Sequence, residues 1–200
     1  MSLIEITGKF IRGPALSVKL AKAVIDTIQP SPGDYIVQWE ISPNRSTTLT
    51  KLLASNLPSN SELIVVGLNV KLAKSLKLEF PKIQVYLGEQ SGIPNLFETL
   101  PPHTKIISPI SSRTLNLKIR AKTIEMLIAF ISENSLRTLV QYSYWPTPPF
   151  DVPDQLIWKL RKVLIPNVPP ASIWELRHRG TGWTKYTQNL RTNSLSQESL

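Results

Sequence analysis

The chain has 200 residues and 42% apolar content, enough for one domain with a sizeable core. Its 23 Lys and Arg against 14 Asp and Glu give a formal charge of +9, which suits nucleic acid, an anionic membrane surface or an anionic small molecule, or simply aids solubility. With no cysteine and only 2 histidines, it has no disulfide, thiolate metal site or cysteine nucleophile and little material for a histidine metal centre.

In chain order, "PALSVKLAKAVIDTI" spaces Leu16, Leu20, Ala21, Val24, Ile25 and Ile28 for a helix that "QPSPGD" ends. "YIVQWE" reads as a strand and "TTLTKLLASN" as a helix. "ELIVVGLN" predicts a second strand, "VKLAKSLKLEF" a helix closed by Pro81, and "KIQVYLGE" a third strand. "TKIISPI" is the fourth, "LNLKIRAKTIEMLIAFISE" the longest helix, and "SLRTLVQYSYW" the fifth strand. After the proline-rich "PTPPFDVP", "DQLIWKL" predicts a short helix, and "RKVLIPN" and "ASIWELRH" two closing strands. Alternating strands and helices predict a mostly parallel sheet covered on both faces, with an antiparallel hairpin at one edge. Residues 1–179 read as a single domain and 180–200 as a polar, flexible tail. No apolar run approaches the roughly 18 residues that span a bilayer, and "MSLIEITGKF" has no signal-peptide pattern, so a cytoplasmic protein, soluble or peripheral to a membrane, is expected.

"DYIVQWEISPNRSTTLTKLL", Asp34 to Leu53, has the strand–turn–helix order of a cofactor loop, but Ser42, Asn44 and Ser46 stand where such a loop carries glycines. Glycine there permits positive φ and close backbone approach to a ligand.

Read together, these segments resemble the class I S-adenosylmethionine-dependent methyltransferases, with the closest look to bacterial phospholipid N-methyltransferases and the related rRNA adenine dimethylases. The resemblance covers about Gly13 to Arg179. It is most specific in "LVQYSYWPTPP", similar to the family's fifth strand and its prolines, and in "IPNVPPASIWELRHR", similar to its closing hairpin. It implies a Rossmann-like α/β sandwich. By resemblance, Glu40, Ser42, Asn44, Ser46, Gly67 and Glu89 occupy the cofactor-binding positions. Gly67 stands in place of the acid that holds the ribose hydroxyls, and Asn69 two residues on offers a hydrogen bond. Ser108, Ser111, Arg113, Tyr142, Tyr144 and Trp145 fall where the family lines its substrate pocket. With three loop glycines and the ribose acid missing, S-adenosylmethionine, the implied cofactor, is expected to bind weakly or not at all, and no metal is expected.

Each position has a plain alternative. Glu40 and Glu89 could be solvent-facing charges at strand ends, the tyrosines core packing, and the lysines of the first helices (Lys19, Lys22, Lys71, Lys74, Lys77) solvated faces. His103 reads as a loop histidine and His178 as structural. Three functions stay open: an enzyme repurposed for cyclisation, isomerisation or lyase chemistry on a lipid or other hydrophobic small molecule; an active N-methyltransferase of a phospholipid or small hydrophobic amine; and a non-catalytic protein that binds a membrane or a partner. The partners expected are a hydrophobic small molecule or lipid and, peripherally, an anionic membrane. No RNA-binding segment is visible, so nucleic acid is not expected.

Overall fold

The structure, a computed structural model, describes residues 16–39, 47–68, 70–87, 93–108, 117–144, 146–165 and 170–180. Helix α1 (Val18–Ile28) starts at Ser17, whose Oγ accepts the Leu20 N–H at 3.2 Å, satisfying one of the donors that a helix start leaves open. It ends where Gln29 turns left-handed, at φ 47°. The chain then alternates through β1 (Tyr35–Trp39), α2 (Thr48–Ser55), β2 (Glu62–Leu68), α3 (Val70–Glu79), β3 (Gln84–Leu87), α4 (Ile93–Thr99), β4 (Thr104–Ile107), α5 (Leu117–Ser132) and β5 (Thr138–Ser143). It closes with β6 (Leu156–Leu164) and β7 (Ala171–His178).

The seven strands form one sheet in the order β3-β2-β1-β4-β5-β7-β6. The first five are parallel, and β7 runs antiparallel between β5 and β6. Strand alternation divides the core into two layers. Ile36, Leu63, Val65, Ile107 and Val140 face α1 and α2, packing on Leu20, Val24, Leu49 and Leu53. Val37, Ile64, Val66, Ile106 and Leu139 face α4 and α5, packing on Phe97, Leu127, Phe130 and Ile131. Full burial of each such side chain is worth about 1.5–3 kcal/mol, so the two layers supply most of the drive to fold.

The α/β class, the parallel sheet and the antiparallel closing pair agree with the sequence reading, and two elements differ. "DQLIWKL" is not a helix: Asp154 and Gln155 sit in a turn, the Leu156 N–H reaches Pro153 O at 2.9 Å, and Leu156 to Leu164 is one continuous strand. Its apolar residues fit either period, but pairing with β7 places Leu156 and Trp158 on the α5 layer, and that long-range contact decides. Helix α4 was not anticipated. Its "IPNLFET" is short, yet Pro94 suits a first helical turn, and Leu96, Phe97 and Leu100 all become buried.

Two polar clusters hold the amino edge of the sheet. Asp34 Oδ2 accepts the Ser31 N–H at 2.7 Å and the Lys105 ammonium at 2.6 Å, and Lys105 also donates to Gln29 O at 3.0 Å. This ties the α1–β1 turn to β4. Buried Arg137 donates to Phe130 O at 3.0 Å, Leu100 O at 3.3 Å and Glu133 Oε2 at 2.6 Å, with its guanidinium 3.9 Å from the Phe130 ring centre. Replacing Asp34→Ala should lower the unfolding free energy by about 2 kcal/mol, because it strands a half-buried ammonium and an N–H. Urea unfolding checks this, and Asp34→Asn, which keeps the Ser31 acceptor, should recover part of the loss.

Candidate ligand site at the carboxyl edge

From β1 the chain crosses to β2 on one side, and from β4 it crosses to β5 on the other. The two crossovers diverge between β1 and β4, and open parallel sheets take ligands in the crevice outside the carboxyl ends at such a divergence. The residues at these ends set what the crevice offers. Trp39 ends β1, buried on the α4–α5 face with its ring 5.2 Å from that of Phe97.

Gly67 lies near the end of β2 with φ 92°. Val66 pairs with Tyr86 and Leu68 with Leu87, so Gly67 is the extra residue of a bulge. Only glycine takes this backbone without strain. The absence of a carboxylate at Gly67 is therefore a matter of conformation as well as of residue type.

Ser108 follows β4. Its N–H donates to Val140 O at 3.1 Å, which continues the β4–β5 ladder. The side chain is fully buried, and its hydroxyl has no hydrogen-bond partner. Extending the Gln38–Ile107 and Ile107–Val140 register by one residue sets Ser108 beside Trp39 on one side and Gln141 on the other. Gln141 in turn pairs with Trp174 on β7, and Trp174 with Leu160 on β6. A single row thus crosses five strands on the α5 face: Trp39, Ser108, Gln141, Trp174, Leu160. Like Ser108 Oγ, the Trp174 indole N–H is buried without an acceptor. A buried polar group left without a partner costs about 1–3 kcal/mol, and a bound ligand is one way of completing it.

Gln141 and its counterpart Gln38 on β1 are almost completely buried and are both engaged in interactions. Both carry a signal in the sequence that sets them apart, since "IVQW" and "LVQY" each put one amide into an otherwise apolar strand. Tyr142 pairs with Ile173 and is buried in the α1 layer, and Tyr144 is half-buried against the same layer. Glu40, Ser42, Asn44, Ser46, Asn69, Glu89, Ser111, Arg113 and Trp145 lie outside the described residues.

Neither histidine belongs to this edge. His103 is exposed in the turn before β4, where its carbonyl accepts the Tyr35 N–H at 3.2 Å, at the amino end of the sheet. His178 Nε2 donates to Ile131 O at 2.9 Å, which anchors the end of β7 to α5. Tyr35, also at the amino end, has its pKa raised by donating to the Glu62 carboxylate and by the charge of that group. Among the described residues no cluster of three or more His, Asp or Glu could hold a metal ion. No described helix is long and apolar enough to cross a membrane.

No family profile and no curated protein matches the sequence. Solved structures do match the fold. TrmN from Thermus thermophilus superposes with a TM-score of 0.55 at 17% identity, over 84% of this chain and 50% of that one. The 23S rRNA methyltransferase ErmE gives 0.51 at 15% identity, over 84% of this chain and 70% of that one. A point mutant of MtNAS in complex with S-adenosylmethionine gives 0.53 at 13% identity, over 80% of this chain and 61% of that one. The chain therefore spans about half the length of TrmN. Its seven-stranded sheet, with the reversed seventh strand inserted between the fifth and the sixth, is the fold of the class I S-adenosylmethionine-dependent methyltransferases.

Proposed function

We infer that the chain is an enzyme of the methyltransferase fold whose carboxyl edge takes a lipid or other hydrophobic small molecule and converts it without ordinary methyl transfer. Gly67 carries this reading. By the resemblance it stands where a carboxylate would hold the ribose of S-adenosylmethionine, and its φ of 92° disfavours any side chain there. Hydrogen bonds to a charged group are worth about 1.5–3 kcal/mol each, so losing a bidentate ribose contact weakens binding by two or more orders of magnitude. Ser42, Asn44 and Ser46 remove three loop glycines besides. Among the described positions at this edge the residues therefore do not fit the usual cofactor.

The chemistry that remains is orientation in apolar surroundings. Trp39 and Val66 line the α5 face of the sheet near the carboxyl edge, while the Ser108 hydroxyl and the Trp174 indole N–H still have bonding capacity to fix a carbonyl or hydroxyl of a substrate. Fixing a reacting conformer in this way promotes a cyclisation, isomerisation or elimination without a strong base, since it removes rotational freedom before the barrier. The second reading, methyl transfer to a lipid or small hydrophobic amine, is favoured by the fold likeness to the 23S rRNA methyltransferase ErmE.

Calorimetric and thermal-shift titration with S-adenosylmethionine and S-adenosylhomocysteine separates the two. A ligand at a hundredfold excess over its dissociation constant stabilises a protein by about 2.7 kcal/mol, so ordinary binding is easily seen. The expected result is no shift. Micromolar binding would replace the proposal with methyl transfer. Gly67→Glu should not create binding and should destabilise the fold by roughly 1–2 kcal/mol, the penalty for a left-handed non-glycine residue. Ser108→Ala should stabilise the fold by about 1 kcal/mol by removing a buried unpartnered hydroxyl, while lowering turnover of whatever substrate is found. A loss of stability in this variant would mean that Ser108 is a packing residue.

A further inference from the structure

Strand β6 is the open edge of the sheet beyond β7, and from Lys159 to Val163 every residue is exposed. Leu156 and Trp158 at its start pack on the α5 layer, while the stretch beyond pairs with β7 and borders α1 at Lys162. The strand is amphipathic across its two faces. Leu160 and Val163 lie opposite Trp174 and Ser172 on the α5 face, at 44% and 48% exposure, and Ile165 follows at 76%. Lys159 and Lys162 lie opposite Glu175 and Ile173 on the α1 face, where Arg161 also reaches, pairing with Glu175 at 2.9 Å.

The cationic side extends onto α1. Lys19, Lys22 and Asp26 fall at helical spacing along one stripe. Asp26 Oδ2 lies 4.0 Å from Lys162 Nζ, so this stripe borders β6. Among the described residues Lys19, Lys22 and Lys159 enter no ion pair. The acids in the band are Asp26 and Glu175, and both already face a cation.

We propose that this edge docks the protein on an anionic lipid bilayer. Leu160, Val163 and Ile165 enter the boundary of the acyl chains while Lys159, Lys162 and the α1 lysines meet headgroup phosphates. Two other occupants fit less well. A second copy paired strand to strand would bring like-charged lysine bands together, the arrangement that protects natural sheet edges from self-association. A nucleic acid strand is held by aromatic stacking, yet the large apolar residues exposed here are all aliphatic, and the Trp158 Nε1–H is bound to Phe150 O at 2.9 Å. The proposal does not depend on the chemistry at the carboxyl edge. It would, however, place Leu160, the exposed end of the row that runs inward to Ser108, against the lipid.

The test is co-sedimentation of the full chain with vesicles of phosphatidylcholine alone and of phosphatidylcholine mixed with phosphatidylglycerol, together with three paired variants. The unaltered chain should sediment only with the anionic vesicles. Lys22→Glu with Lys159→Glu should reduce partitioning at least tenfold, since each cation near an anionic surface contributes roughly fivefold. Leu160→Ser with Val163→Ser should reduce it severalfold and weaken what persists at high salt. Lys71→Glu with Lys74→Glu makes the same change of net charge on α3, at the far edge, and should bind like the unaltered chain. The proposal falls if neutral and anionic vesicles sediment the chain equally, or if the α3 variant loses as much as the β6 variant. It also falls if the serine pair binds normally while single-stranded RNA is bound and then lost on charge reversal, which would mark a nucleic-acid surface. A dimer in solution that the serine pair dissolves would assign the edge to a second copy. Circular dichroism verifies folding, and should the serine pair fail to fold, the two charge-reversed variants still decide.

Discussion

Everything in this molecule is arranged around β1, five residues hydrogen-bonded in parallel on both sides and covered on both faces. A strand in that position has no solvent-facing side, so its sequence must be nearly continuous in apolar residues, and "YIVQW" is. Parallel neighbours also require long crossovers, here through helices, and their divergence between β1 and β4 marks the point at which open parallel sheets take ligands. The same constraint accounts for the buried amide of Gln38. It is fully buried and takes part in an interaction.

An aromatic series transmits this order to the other side of the sheet. Trp39 meets Phe97 of α4, Phe97 meets Phe130 of α5 at 4.7 Å, and Phe130 lies beneath Arg137 at the entry to β5. The carboxyl end of the central strand is thereby fixed relative to the amino end of its second neighbour by rigid rings and a buried guanidinium. Positions on the α5 face of the carboxyl edge, Ser108 and Gln141 among them, inherit that rigidity. A site that acts by orientation needs this, since a displacement of about 1 Å can cost two orders of magnitude in rate.

The strands and most helices were legible in the sequence because each carries one dominant periodicity. The sequence of "DQLIWKL" holds two periods at once: Leu156, Ile157 and Leu160 satisfy a helical stripe, and Leu156, Trp158 and Leu160 an alternating one. What decides between them is β7, whose pairing residues lie ten or more positions downstream and contribute nothing to a local pattern. Helix α4 was hidden by its length, since seven residues give less than two turns of signal. The candidate site was legible only in part. The missing acid at Gly67 could be read by comparison with a motif, but the positive φ that makes glycine necessary could not. The row from Trp39 to Leu160 could not be foreseen at all, because it joins single residues from five strands whose order and register are set by the whole sheet.

The two ends of that sheet show how charge and strand length divide the work of keeping an edge soluble. Strand β3 is four residues long and ends in a bulged pairing with β2, so it offers little ladder to a stray strand. Strand β6 is nine residues long, and length alone would make it a template for aggregation. It avoids this through Lys159, Arg161 and Lys162, and through an irregularity between Leu160 and Lys162 that bends it away from a flat partner. Protection of an edge from other strands requires cations but not exposed aliphatics, and Leu160, Val163 and Ile165 work against it. Their presence beside the cations is what self-protection leaves unexplained, and a surface that is both anionic and apolar is the partner chemistry that accounts for both.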